Sequence, residues 1–365
     1  MSTREFHDLG QSLWLDNITR DLLKTGELRR YIEEWSISGL TSNPTIFDHA
    51  IRNSKSYDDA IEAGISQGAT GERLFFDLAL DDLVKAAELL RPIHERTSGV
   101  DGWVSLEVSP LIAHDTKATI AEAKRLYEHA QCSNLLIKIP GTKEGLPAIE
   151  ESIFAGVPIN VTLLFSAEQY AAAADAFMRG IERRIDAGLR ADVASVASIF
   201  VSRWDVAVAD KVPPALRNKL GIAVAKDVYE VYLKLLSSPR WMRAYNAGAR
   251  PQRLLWASTG TKDPSAPDVL YIGALAAPFT VNTVPEATLK AIADHGAVRT
   301  PLHHDSGDNR KLLAQFAQEG IDTSALATRL QEDGARSFTE SWNDLIGVIA
   351  SKSTAFQQGS RRHGS

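Results

Sequence analysis

Lys138 lies within Asn134-Leu-Leu-Ile-Lys-Ile-Pro-Gly141, a run of apolar residues short enough to be a buried strand. A strand of that kind is a costly place for an ammonium group. An unperturbed lysine has a pKa of about 10.4, and full burial can lower it by up to about 3 to 5 units. A lysine so placed is a candidate nucleophile, able to form a Schiff base with a ketone or aldehyde. The plainer reading is a lysine at the end of an edge strand, its stem packed and its head in water. The run alone leaves both readings open.

Polar residues interrupt five other apolar runs in the same way. Asp16 lies in Ser12 to Ile18, Asn43 ends Ser38 to Asn43, and Glu107 lies in Trp103 to Ser109. Asn160 and Thr162 share one face of Pro158 to Phe165, and Ser198 lies in Ala194 to Phe200. Each stands in or near the C-terminal half of its run, so parallel strands closed into a barrel would bring all of them to one mouth. Amine catalysis of carbon–carbon cleavage needs such a set. Lys138 would become an iminium that accepts electrons from the breaking bond. Asp16 is the candidate acid and base for the hydroxyl on the departing carbon. Glu107, helped by Thr162 through a water, could move protons while the carbinolamine dehydrates. Asn43, Asn160 and Ser198 could hold the hydroxyls of a short ketose fragment.

The elements that must position these residues follow an alternating rhythm. Short apolar runs are separated by longer helical patterns, which predicts parallel strands joined by crossover helices. Further runs at Arg253 to Ser258 and Thr280 to Val284 bring the count to about eight, which predicts a (β/α)8 TIM barrel with additional helices. Within the helix-rich segment Ser54 to Thr97, Phe76, Leu80, Leu83, Ala87 and Leu90 recur at steps of four and three, giving one apolar face. Ser166 followed by Gln169 is a capping-box pattern at a helix start. Pro285 opens a helix that Gly296 can close, and helical stretches near Asn309 to Glu319 and Asp322 to Ile349 finish the chain. No repeat or linker divides it. Residues 1–350 read as one catalytic domain and 351–365 as a polar, poorly ordered tail.

Composition narrows the function. The 365 residues include 40 Lys and Arg against 46 Asp and Glu, a formal charge of −6, with no long basic run. Extended nucleic-acid binding is therefore not expected. An anionic ligand must be met by a few local cations. The single cysteine, Cys132, can form neither an internal disulfide nor a thiolate cluster, and no run reaches the length of a membrane span. A cytoplasmic protein with no membrane contact is expected.

Six segments together resemble the transaldolase family. They are Leu-Trp-Leu-Asp (13–16), Gly-Leu-Thr-Ser-Asn-Pro-Thr-Ile-Phe (39–47), Ser-Leu-Glu-Val (105–108), Leu-Ile-Lys-Ile-Pro-Gly-Thr (136–142), Asn-Val-Thr-Leu-Leu-Phe-Ser (160–166) and Ser-Ile-Phe-Val-Ser-Arg (198–203). They occur in the family's order, and the resemblance spans residues from about 10 to 350. It implies a class I aldolase-like barrel that moves a dihydroxyacetone unit from sedoheptulose 7-phosphate to glyceraldehyde 3-phosphate in the pentose phosphate pathway. It also implies that no metal and no organic cofactor is needed, and that the partners are phosphorylated sugars, the protein being a monomer or homodimer. By motif, Lys138 matches the Schiff-base lysine, Asp16 the acid and base, and Glu107 the water-handling carboxylate. Asn43, Asn160, Thr162 and Ser198 match substrate-holding positions and Arg203 a phosphate-binding arginine, and Phe200 is expected among the substrate-binding residues. The seventh strand departs from the pattern. Where the family carries Ala-Ser-x-Arg, this chain has Ala257-Ser258-Thr259-Gly260-Thr261-Lys262, so Ser258 aligns and Lys262 stands as the second phosphate cation. Arginine offers phosphate a planar fork and lysine a point charge, which bears on affinity more than on reaction type.

Rival readings remain. A fructose 6-phosphate aldolase-type lyase would use the same lysine but release dihydroxyacetone to water. A tyrosine near the fifth or sixth strand would suit that proton transfer, whereas Phe165 and Phe200 occupy those strands. A non-catalytic sugar-phosphate-binding barrel would have no need of Lys138 or Asp16. Gly64-Ile-Ser-Gln-Gly68 has the spacing of a nucleophile elbow, but helical sequence precedes it, so these glycines are expected to end a helix. His303-His304-Asp305 is expected to be a solvated loop and not a metal site.

Overall fold

The computed structural model describes residues 2–298, 301–302 and 306–363. The eight apolar runs are parallel strands of a closed barrel in sequence order. They are β1 Ser12–Asp16, β2 Ile37–Thr41, β3 Trp103–Glu107, β4 Leu135–Pro140, β5 Ile159–Leu164, β6 Ser195–Phe200, β7 Gln252–Ala257 and β8 Val281–Val284. Every strand is buried along nearly its whole length, because the interior packs against one face and the crossover helices against the other. The strand β4 bonds to β3 and β5, so Lys138 is not on an edge.

Register places the polar residues at one level. Glu107 pairs with Lys138, Lys138 with Asn160, and Asp16 with Thr41. The ladder slips between Leu13 and Trp14, where the Trp14 indole packs over Gly39. A Cβ at Gly39 would lie 2.6 Å from that ring, so no larger residue fits there. A second slip falls between Val161 and Leu164, with Leu163 at a left-handed φ of 58°.

Local signals in the chain account for most boundaries. The Asp115 carboxylate caps the helix Thr116–Ala130 by accepting from Ala118 N at 3.0 Å. Ser166 caps Ala167–Asp186 by accepting from Gln169 N, while Gln169 Oε1 reaches back to Phe165 N, one residue before the N-cap. Pro285 precedes the helix Glu286–His295, and Gly296 follows it. The apolar face expected over residues 76–90 is buried, on the helix Gly71–Arg96.

Several boundaries differ from the expectation. The first strand stops at Asp16, not Ile18, because Thr19 already caps the helix Arg20–Lys24. The helix-rich segment is two helices, Asp58–Ser66 and Gly71–Arg96, separated where Gly68 and Gly71 take positive φ; Gly68 follows a helix end as expected, whereas Gly64 lies inside the helix. The last helix does not stop near Ile349. It runs from Thr323 to His363, since Phe356 packs on the core and Lys352 Nζ bonds Asp58 Oδ1 at 2.6 Å and the Ser54 carbonyl at 3.1 Å. Residues 303–305 lie outside the described residues. Among the described residues, no helix is long and apolar enough to cross a membrane, and no three His, Cys, Asp or Glu side chains converge as a metal site would require.

Candidate active site

Lys138 points into the C-terminal mouth of the barrel and is 5% exposed. Its Nζ donates to the Ser42 carbonyl at 3.0 Å and lies 3.2 Å from Glu107 Oε2. The second contact has ion-pair separation without the angles of a directed hydrogen bond, and neither Glu107 oxygen has a hydrogen-bond donor among the described residues. Removing both charges from water is expensive, and their mutual attraction repays it only when other bonds complete the pair. Here they do not.

The two carboxylates respond to that burial. Glu107 and Asp16 are both pushed above their ordinary pKa values, by desolvation first, with the positive charge of Lys138 opposing it. Thr41 Oγ1 donates to Asp16 Oδ1 at 2.7 Å and lies 2.7 Å from Thr283 Oγ1, which fixes the carboxylate on its strand. A carboxylate with a raised proton affinity beside an ammonium can take its proton directly. The amine is then free to attack a carbonyl without first exchanging a proton with solvent.

The remaining site residues divide by position. Asp16, Asn43, Lys138, Thr162, Ser198, Phe200, Arg203, Ser258 and Lys262 line one cavity of about 130 Å³. Asn43 has a second role, as its side chain caps the helix Pro44–Asn53 by accepting from Ile46 N at 3.0 Å. Ser258 stands at the end of β7 with φ 54°, its hydroxyl 2.9 Å from Ser202 Oγ. Lys262 is exposed at the rim. Asn160 is set back from the cavity. It is fully buried, donates to Ser105 Oγ at 3.2 Å and accepts from Ser198 Oγ at 2.7 Å, so it holds Ser198 in place. Thr162 Oγ1 is buried without a hydrogen-bond partner among the described residues.

Arg203 is the other unusual cation. Its guanidinium lies 5.2 Å from the Phe200 ring centre and 5.8 Å from that of Phe338, with neither hydrogen bond nor ion pair among the described residues. Burial pulls its pKa down; Glu107 and Asp333 act against that. A largely desolvated guanidinium facing a cavity with no anion bonded to it is suited to a phosphate or carboxylate.

Sequence reasoning missed several parts of this site. The Ser42 carbonyl is a main-chain group, which no residue type announces. Thr41 and Thr283 stand near the C-terminal ends of β2 and β8, the kind of position that singled out Asp16. Phe338 arrives from a helix about 200 residues beyond Lys138 and carries no local signal.

Larger concavities exist elsewhere. One of about 410 Å³ at the opposite end of the barrel is lined by His94, Trp103, Arg184 and Arg250. Another, of about 910 Å³, lies between the helices Asp58–Ser66 and Gly71–Arg96. Neither brings a buried amine to a buried carboxylate, so chemistry and not size marks the site.

A closed parallel barrel with a buried amine beside two carboxylates at its C-terminal mouth has the equipment of an amine-dependent carbon–carbon lyase or transferase. The sequence pattern of the Transaldolase/Fructose-6-phosphate aldolase family matches residues 13–349, and the chain belongs to that family. It is 45% identical to a transaldolase of Parafrankia sp. (strain EAN1pec), over 93% of this chain and 95% of that protein. It is 44% identical to a transaldolase of Frankia alni, over 95% and 96%. A protein named transaldolase 2 from Nostoc punctiforme is 42% identical over the same shares.

Proposed function

We propose that this protein is a transaldolase, a transferase that carries a dihydroxyacetone unit on Lys138 from one sugar phosphate to another. The observation that carries the reading is Lys138 Nζ, buried at the barrel mouth 3.2 Å from Glu107, in a cavity that also holds Asp16 and Arg203. The amine attacks the ketose carbonyl, and Glu107 with Thr162 handles the water lost as the carbinolamine becomes an iminium. Asp16 takes the proton from the C4 hydroxyl, the C3–C4 bond breaks, and its electrons pass into the iminium to leave an enamine. An acceptor aldehyde then adds to the enamine, with Asp16 returning the proton, and water releases the new ketose. Sedoheptulose 7-phosphate as donor and glyceraldehyde 3-phosphate as acceptor give erythrose 4-phosphate and fructose 6-phosphate. Asn43 and Ser198 hold substrate hydroxyls, and Arg203 with Lys262 meets the phosphates. The barrel with its helices, residues 1–350, is read as one catalytic unit working in the cytoplasm.

The rival within the family is aldolase-type release of dihydroxyacetone. Phe200 lines the cavity with its ring 5.4 Å from that of Phe165, so these two ring positions offer no phenolic hydroxyl to protonate the enamine. That favours transfer. Borohydride added with fructose 6-phosphate should fix a three-carbon unit to a peptide containing Lys138, visible as a mass increase. Absence of the adduct would remove the covalent mechanism, and rapid turnover of fructose 6-phosphate without an acceptor would favour the lyase.

A further inference from the structure

The C-terminal helix Thr323–His363 crosses the mouth of the barrel and is pinned on both sides of the cavity. On one side Gln331 Nε2 donates to the Leu163 carbonyl at 2.9 Å and the Gly141 carbonyl at 3.1 Å. On the other, the Ser341 and Thr45 hydroxyls lie 2.8 Å apart, and Trp342 Nε1 donates to Glu72 Oε1 at 2.9 Å. Glu72 also accepts from Ser109 just beyond β3, so this anchor reaches a barrel loop.

Between the anchors, on the same helical face, stand Gly334 and Phe338. A Cβ at Gly334 would lie 3.1 Å from Arg203 Nη1 and 2.9 Å from Leu163 Cδ2. Leu163 Cδ2 ends a flexible side chain that can turn aside, but Arg203 Nη1, held between Phe200 and Phe338, would also have to give way. Its only described side-chain neighbours of aromatic type are Phe200 below and Phe338 from the helix, which leave the N–H edge of the guanidinium unbonded. Arginine has many rotamers, and fixing one before the ligand arrives removes an ordering cost from binding.

We propose that Gly334 and Phe338 are positioning residues that set Arg203 for a phosphate monoester, so that the C-terminal helix determines selectivity for phosphorylated over neutral sugars. Gly334 leaves room for the guanidinium, and Phe338 supplies one of its two aromatic contacts. The inference rests on the reading that Arg203 meets the substrate phosphate.

Gly334→Ala should raise KM for fructose 6-phosphate about tenfold with kcat held within about twofold, and change kcat/KM for unphosphorylated fructose by no more than about twofold, both assayed with glyceraldehyde as acceptor. Phe338→Leu keeps the apolar volume and removes the ring; it should raise KM for fructose 6-phosphate about three- to fivefold. In an Arg203→Ala background neither substitution should raise KM further, because both act through that side chain. Equal losses on both donors, additive losses in the Arg203→Ala background, or an unchanged KM in both variants would overturn the proposal. Borohydride trapping of the parent protein separates the two levels. A failed trap removes the transaldolase reading, while a successful trap with an unchanged KM removes only the role of the helix.

Discussion

At the N-terminal end of the barrel, Asp101 and Arg253 are buried and joined through the Ser12 hydroxyl, which donates to Asp101 and accepts from Arg253 Nη2 at 2.7 Å. Trp14 Nε1 adds a bond to Asp101 at 2.8 Å, and Arg253 also donates to the carbonyls of Val100 and Thr280. At the mouth, by contrast, both oxygens of Glu107 and the hydroxyl of Thr162 lack hydrogen-bond donors or acceptors among the described residues, and Arg203 has no polar partner there. The lower end is not perfectly paired, for Gln11 Oε1, Gln252 Oε1 and Arg253 Nε are also without partners. Each of those side chains is nonetheless anchored by its other polar atoms. Burying a polar group unpaired costs about 1 to 3 kcal/mol. The difference therefore has an energetic meaning: one end spends its polar groups on holding the strands together, and the other keeps them available to a ligand.

The comparison is testable at both ends. The largest effect expected is from Lys138→Met, which keeps much of the stem and removes the amine. Activity should fall by at least about 10⁴-fold and borohydride trapping should vanish while the protein remains folded. A variant with near-parent turnover would show that the mouth's chemistry lies elsewhere. Next, Asp101→Ala should cost about 3 kcal/mol in urea unfolding, since it strands Ser12, Trp14 and Arg253, with kcat per folded molecule unchanged within about twofold. A selective loss of kcat would erase the distinction between the ends.

A smaller effect follows from titration. Burial raises the Asp16 pKa above its ordinary 3.8, so the folded protein binds that proton more tightly than the unfolded chain. Its contribution to stability is complete below about 3.8 and is lost as pH rises through the higher folded value. At neutral pH the buried carboxylate is thus a liability. Asp16→Asn should be the more stable protein at neutral pH, with the gap closing as pH falls toward the unfolded value, while its turnover is poor. A gap that widened on acidification would contradict the sign. The smallest effect is expected at the rim: Lys262→Ala should raise KM for phosphorylated substrates less than Arg203→Ala does. The Lys262→Ala effect should shrink further at high salt, and its gap from Arg203→Ala should widen, because an exposed ammonium is screened more strongly than a largely desolvated guanidinium.

Much of the site was legible because strand periodicity and barrel geometry act together. Asp16, Glu107, Lys138 and Thr162 each stand in or near the C-terminal half of a different strand, and parallel closure carried them to one mouth. Asn160 shows the limit. It stands level with Lys138 on the neighbouring strand, and its bonds to Ser198 and Ser105 are partners that residue type does not encode. The end of the C-terminal helix was lost for a related reason. Residues beyond Ile349 are polar and read as a tail, yet Lys352 and Phe356 find partners on the helix Asp58–Ser66 and in the core.

The sequence by itself determined the barrel, the eight strands and which lysine and two carboxylates stand near its mouth, since these depend on local hydrophobic period and on which polar residues break it. Only the tertiary structure decided how the charges meet. Lys138 beside Glu107, the Ser42 carbonyl beneath its nitrogen, and the remote helix that sets Gly334 and Phe338 against Arg203 all depend on closure and on contacts between segments far apart in the chain. No local pattern carries that information, because the free energy of such a contact is shared between residues that neither propensity nor spacing connects.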